Sequence, residues 1–147
     1  MLYNKTILKH FRHPKNQGSL KNPDGLGEVG NPVCGDIMRL YIKVKKQGQK
    51  EIISNIKFET LGCAAAIANS SVLTEMVKGK TLAQALKVTR NDVIKKLGGD
   101  VPKSKIHCSM LAVDALKKAV EDYRHKNIKT LKHKNIKTNC FNALMFL

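Results

Sequence analysis

The chain has 147 residues, 42% of them hydrophobic, which suits one modest core and a single domain, and no apolar run is long enough to span a bilayer. A net charge of +16 raises nucleic acid as a partner, but aromatics are only 5% of the chain and the lysines are spread along all of it. A solvated lysine-rich surface is therefore expected, with no nucleic acid and no membrane as partner.

The opening "MLYNKTILKHFRHPKN" lacks the apolar stretch and cleavage site of a secretory signal. Few serines and an early His-Pro argue against a transit peptide, so a cytoplasmic location is expected. Asn4 is placed to cap a short helix carrying Ile7, Leu8 and Phe11, ended by "HPKNQGS". The next segment, "NPDGLGEVGNPVCGD", is too rich in Gly and Pro for more than a short edge strand.

Alternation then sets in. Met38, Leu40, Ile42 and Val44 share one face of "IMRLYIKV", and Ile52, Ile56 and Phe58 share one side of "EIISNIKFETL". With "KKQGQK" as the turn, these predict an antiparallel hairpin over 37–61. Helical spacing follows in Ala65, Ala68, Val72 and Met76, with Gly79 at the stop. Thr81 with Gln84 has the capping-box pattern for a short helix, and Thr89 caps another before Gly98-Gly99. Ser104 is the expected cap of the last helix, whose buried stripe reads Ile106, Met110, Val113, Leu116, Val120, Tyr123. The order predicts an α+β fold: a small antiparallel sheet of about three strands packed by helices, with a long C-terminal helix.

The chain divides at its end into a domain over 1–125 and a tail over 126–147. "HKNIKTLK" at 125–132 is followed by "HKNIKT" at 133–138, a tandem step of eight that fits neither 3.6 nor 3.5 residues per turn. A disordered, peripheral appendage is the favoured reading of this basic tail; a helix continuing from 124 is the other.

Four cysteines, Cys34, Cys63, Cys108 and Cys140, stand far apart with no CxxC pair, so in a reducing compartment they are thiols or metal ligands rather than disulfides. Cys34 precedes the first long strand, Cys63 stands where strand gives way to helix, and Cys108 lies in the first turn of the last helix. Helix N-termini favour the thiolate, which both nucleophilic attack and soft-metal binding require. Asp36 follows Cys34 by two residues, His107 adjoins Cys108, and Lys105 adds a cation. Together these offer three sulfurs with a carboxylate or imidazole, enough for tetrahedral zinc or an iron–sulfur centre. The gaps of 29 and 45 residues match no compact ligand rule, so from spacing alone a metal site stands only slightly above a cysteine nucleophile. Adjacent helical residues point about 100° apart, which disfavours a direct His107–Cys108 hydrogen bond.

The blocks "VCGDIMRLYIKV", "LGCAAAIANSSVLTEMVKGK" and "KIHCSMLAVDALKKAVEDY", with "ILKHFRHPKNQGSL" and "VGNPVCGD" before them, closely resemble the IscU family. That family comprises the scaffold proteins of iron–sulfur cluster assembly and includes the N-terminal domain of NifU. The resemblance covers residues 1 to 125 in order. It implies cluster ligands at Cys34, Cys63 and Cys108, acidic and histidine positions at Asp36 and His107, and an auxiliary lysine at Lys105. It further implies a non-enzymatic scaffold, monomer or homodimer, that takes sulfur from an IscS- or NifS-type cysteine desulfurase, with Cys108 the candidate acceptor. Iron and a [2Fe–2S] cluster are its cargo, passed to apo iron–sulfur acceptor proteins, and zinc can occupy the same ligands. The SufU relatives carry an insertion between the second and third cysteine blocks and lack the histidine, so IscU or NifU is the better match. The family's Leu-Pro-Pro-Val-Lys segment reads "VPKSK" here, keeping Pro102 and Lys105 but placing Lys103 and Ser104 at two other positions. That change weakens the implied partnership with a dedicated Hsp70-type chaperone. Cys140 has no counterpart.

Overall fold

The computed structural model describes residues 3–31 and 35–138. The first helix, α1 (Lys5–Arg12), starts where Asn4 turns extended and accepts the Ile7 N–H on its side chain at 2.9 Å. The Asn4 amide also donates to the Leu97 carbonyl at 2.8 Å, tying this end to a distant loop. Within the Gly-Pro segment lies β1 (Gly25–Asn31), and the hairpin is β2 (Asp36–Gln47) with β3 (Lys50–Leu61). The sheet is antiparallel in the order β1-β2-β3.

Met38, Leu40, Ile42, Ile56 and Phe58 are buried on the inner face, as alternation predicts. Ile52 is not among them. The register steps from Lys43↔Asn55 to Val44↔Ile53, leaving Ser54 as an unpaired extra residue. Such a bulge reverses the parity of the strand beyond it, so Ile53 rather than Ile52 points into the core.

Helices cover the inner face. The second helix, α2 (Ala64–Val77), is buried on nearly every side between α1, β3 and the last helix, and even its Asn69, Ser70, Ser71 and Thr74 are inside. It stops before Gly79, whose φ of 84° is the left-handed conformation that ends helices cheaply in glycine. Two capping boxes, Thr81 with Gln84 and Thr89 with Asp92, start α3 (Leu82–Leu86) and α4 (Arg90–Lys96).

The last helix, α5 (Ile106–Thr138), follows a single 3₁₀ turn, Lys103–Lys105. Ser104 therefore lies inside that turn instead of capping the helix. The predicted stripe is inside at Val113, Leu116 and Val120, with Tyr123 packed against the core, but the buried face is wider, since Leu111, Ala112, Ala115 and Ala119 are also inside, while Met110 is exposed. The widening at Ala115 and Ala119 goes with a close approach to β1. A Cβ added at Gly27 would overlap the Ala115 carbonyl oxygen, and one at Gly25 would overlap that of Ala119. Alanine on the helix and glycine on the strand let the two backbones meet. Beyond 125 the described backbone is helical as far as Thr138. No Gly or Pro interrupts 106–138, so nothing local stops the helix once α5 has been nucleated on the domain. Among the described residues no helix is long and apolar enough to cross a membrane.

Candidate metal centre

Three chain segments deliver side chains to one place. Asp36 opens β2 and is buried. Gly62 makes room for its carboxyl, since a Cβ there would stand 3.1 Å from Asp36 Cγ and 2.9 Å from the Ala66 Cβ. Cys63 is the N-cap of α2, with extended backbone and no capping bond from its side chain, so its thiol is available to the centre. Cys108, fully buried, is the third residue of α5.

The sulfurs of Cys63 and Cys108 are 3.9 Å apart, and Cys108 Sγ lies 3.7 Å from Asp36 Oδ2. One ligand atom from each of the three residues falls within 4.8 Å of the others. Two thiolates on one tetrahedral ion at about 2.3 Å would be about 3.8 Å apart, so the donors fit a metal with little rearrangement. His107 stands beside this set, its Nε2 3.6 Å from Cys108 Sγ. The imidazole thus reaches its neighbour despite the divergence of adjacent helical positions. Cys34, like Cys140, lies outside the described residues.

Helix position does not make Cys108 a thiolate here. Burial pushes its thiol strongly up, and the negative charges of Cys63 and Asp36 push the same way. These outweigh the helix dipole, and a cation placed among the three groups would invert the balance. Lys105 supplies a nearby positive charge: its ammonium is held above the usual lysine range, first by Cys63 against the opposing effect of burial, then by Tyr3, Cys108 and Asp36.

Two features escape any reading of the sequence alone. Tyr3 packs on the small cluster of Ala65, Ala66 and Cys108 alongside Cys63, and its phenol is pushed up by burial and by Cys63 while Lys105 opposes them. Nothing local marks it; only the packing of the N-terminus brings it in. Buried hydroxyls also lock the frame. Ser109, next to Cys108, hydrogen-bonds Asn69, whose amide donates to the Ala65 carbonyl at 2.6 Å. Ser70 Oγ donates to the Ala66 carbonyl at 2.8 Å and touches Met38 Sδ at 3.1 Å. Cys63 and Cys108 are thereby held on helices whose mutual position is set by fully satisfied polar contacts.

Comparison with known proteins follows the same outline. The chain is 55% identical over 128 residues to the iron–sulfur cluster assembly scaffold protein IscU 1 of Archaeoglobus fulgidus, covering 87% of this chain and 80% of that one. It is 47% identical over 130 residues to the IscU scaffold of Buchnera aphidicola, covering 86% and 99%. In fold it is similar to the N-terminal part of a NifU-like protein of Brucella abortus, with a TM-score of 0.65 over 84% of this chain and 94% of that one at 22% identity. Residues 2–130 match the model of the NifU-like N terminal domain, and the chain belongs to that family.

Proposed function

We propose that this chain is a scaffold on which an iron–sulfur cluster is assembled as cargo and from which it is passed on. The observation that carries this reading is the convergence of Asp36, Cys63 and Cys108 within 4.8 Å on three separate segments, in a family whose similar members bear that name. Cys34 completes a set of three thiolates, and Asp36 and His107 are the two candidates for the remaining position. Carboxylate or imidazole among thiolates makes a mixed donor set, less matched to iron–sulfur iron than four cysteines, which suits cargo that must leave.

In this reading the Cys108 thiolate takes the sulfane sulfur from the persulfide of a cysteine desulfurase, freeing the desulfurase thiol. An external reductant then supplies two electrons per sulfur to give sulfide, iron joins it, and a [2Fe–2S] cluster forms and moves to apo-acceptors. Lys105 offsets the negative charge that accumulates when the thiols ionise. Zinc is a second occupant of the same ligands, favoured by the 3.9 Å sulfur separation, which suits a single tetrahedral ion. A cysteine-nucleophile enzyme is disfavoured: the Cys108 sulfur is grouped with two further ligand-type side chains, Asp36 and Cys63, although His107 is in reach.

Anaerobic reconstitution of the apo-protein with ferrous iron, cysteine, a desulfurase and a dithiol reductant, read by visible absorption, tests the proposal. The charge-transfer bands of a bound cluster are expected for wild type and for Cys140→Ser. Cys34→Ser, Cys63→Ser and Cys108→Ser are each expected to lose them. Assembly that survives those three changes but fails in Cys140→Ser would overturn it.

A further inference from the structure

A cleft of the described structure lies away from the metal centre. It has a volume of about 710 Å³ and lies between α1, the C-terminal half of α2 and α4. That is within the range of ligand-binding sites, roughly 300–1,000 Å³. Its floor is apolar, formed by Val72, Met76 and Val88, and Lys80 and Lys96 stand at its rim. Met76 is thirteen residues beyond Cys63 along α2, about 20 Å at 1.5 Å per residue. Nothing in the assembly chemistry uses this end of the helix.

The cleft is built rather than incidental. Lys80 sits on a turn pinned to β3, with Gly79 N–H donating to the Ile53 carbonyl at 2.8 Å and Ile53 N–H to the Lys80 carbonyl at 2.9 Å. His10 reaches in from α1. Ser71 Oγ, already accepting the Lys15 N–H at 2.8 Å, meets His10 Nδ1 at 2.8 Å. Assigning the Ser71 hydroxyl hydrogen to Nδ1 leaves a hydrogen on Nε2, directed toward the cleft. Burial holds this imidazole below its ordinary range, hence neutral near pH 7. Glu75 is 3.9 Å from Nε2, too far for a hydrogen bond, so that donor is open to a better acceptor.

We infer that this cleft is a docking groove for an acidic segment of a partner polypeptide, whose apolar side chain rests on Val72, Met76 and Val88 while its carboxylates meet Lys80, Lys96 and His10 Nε2–H. Charge complementarity selects the occupant: two ammonium groups and a neutral donor face one carboxylate, on a chain carrying +16 overall. A partner held there leaves the Cys63–Cys108 centre uncovered, so one protein can be tethered while another reaches the cargo. The inference goes beyond the scaffold reading and does not depend on it.

The probe is the fluorescein-labelled octapeptide Glu-Glu-Leu-Phe-Glu-Leu-Glu-Glu, followed by fluorescence anisotropy with the full chain at about 0.15 M salt, where exposed charges are screened beyond about 8 Å. Saturable binding is expected, weakened about tenfold or more in Lys80→Glu/Lys96→Glu and when serines replace the apolar residues of the peptide. The equal charge change Lys5→Glu/Lys9→Glu, on the outer side of α1, is expected to stay within about twofold. Backbone amide shifts of the unmodified chain give a readout that needs no variant: Met76, Lys80, Val88 and Lys96 are expected to move on titration. Absence of saturable binding, equal weakening in both charge-reversal pairs, or shifts confined to residues outside the cleft would each overturn the inference.

Discussion

Replacing Gly27 by alanine tests the contact that sets the position of α5, and with it Cys108. The new Cβ would overlap the Ala115 carbonyl oxygen and stand 2.6 Å from Ala119 N, both backbone atoms that no rotamer change can clear. Ordinary contact begins at 3.4 Å, so helix and strand must part by at least 0.8 Å at this point. A gap of that size forfeits between a quarter and a half of the dispersion energy of the atoms lining it. Overpacking of this kind costs about 1–3 kcal/mol, and with backbone atoms as the obstacle the upper value is appropriate. Loss of glycine's freedom in the unfolded chain returns about 0.4–1 kcal/mol. The net expectation is a destabilisation of about 2 kcal/mol, or a fall in Tm of about 6 °C for a chain of this size. Thermal unfolding at fixed pH measures it. Gly30→Ala, on the same strand, is the control, because its nearest atoms are 3.8 and 3.9 Å away. It is expected to stay within about 0.5 kcal/mol of wild type. Equal Tm values for the two variants would refute the claim that close backbone approach, rather than side-chain packing, seats α5.

Asp36→Ala is expected to acquire cargo but to release it more slowly to an apo-acceptor, since it removes the hardest donor of the set; transfer as fast as wild type, at matched Tm, would make Asp36 a turn residue only. His10 has its pKa lowered, chiefly by burial against the opposing pull of Glu75, so the unfolded chain takes up this proton first as acidity rises. The resulting stability is fully present above the ordinary value of 6.5 and is lost as pH falls through the folded value. Urea midpoints at pH 7.5 and 5 should differ less in His10→Gln than in wild type. Ending the chain after Lys126 keeps Tyr123 on the core and the exposed Lys126–Asp122 pair at 3.0 Å, and is expected to cost under about 1 kcal/mol in thermal unfolding. A larger loss would show that residues past 126 stabilise the domain.

Local chemistry was legible in the sequence. Asn4, Thr81 and Thr89 cap helices because a short polar side chain within three residues of an unpaired N–H needs no help from the rest of the fold. The hairpin likewise follows from period-two alternation, and the block motifs marked Asp36, Cys63, His107 and Cys108 before any distance was known. Three matters were decided only in three dimensions. The Ser54 bulge exchanges Ile52 for Ile53, because strand parity depends on the register adopted with a partner strand. The burial of Ala115 and Ala119 beside the predicted stripe of α5 comes from Gly25 and Gly27 of a strand some ninety residues earlier, where backbone meets backbone, and a helical wheel contains no such term. The Cys108 proton is held by burial and by the charges of Cys63 and Asp36, so a helix N-terminus that would favour thiolate in water is overruled. Periodicity and capping act over a few residues, whereas desolvation and charge coupling act through space among groups that only the folded chain brings within 4.8 Å.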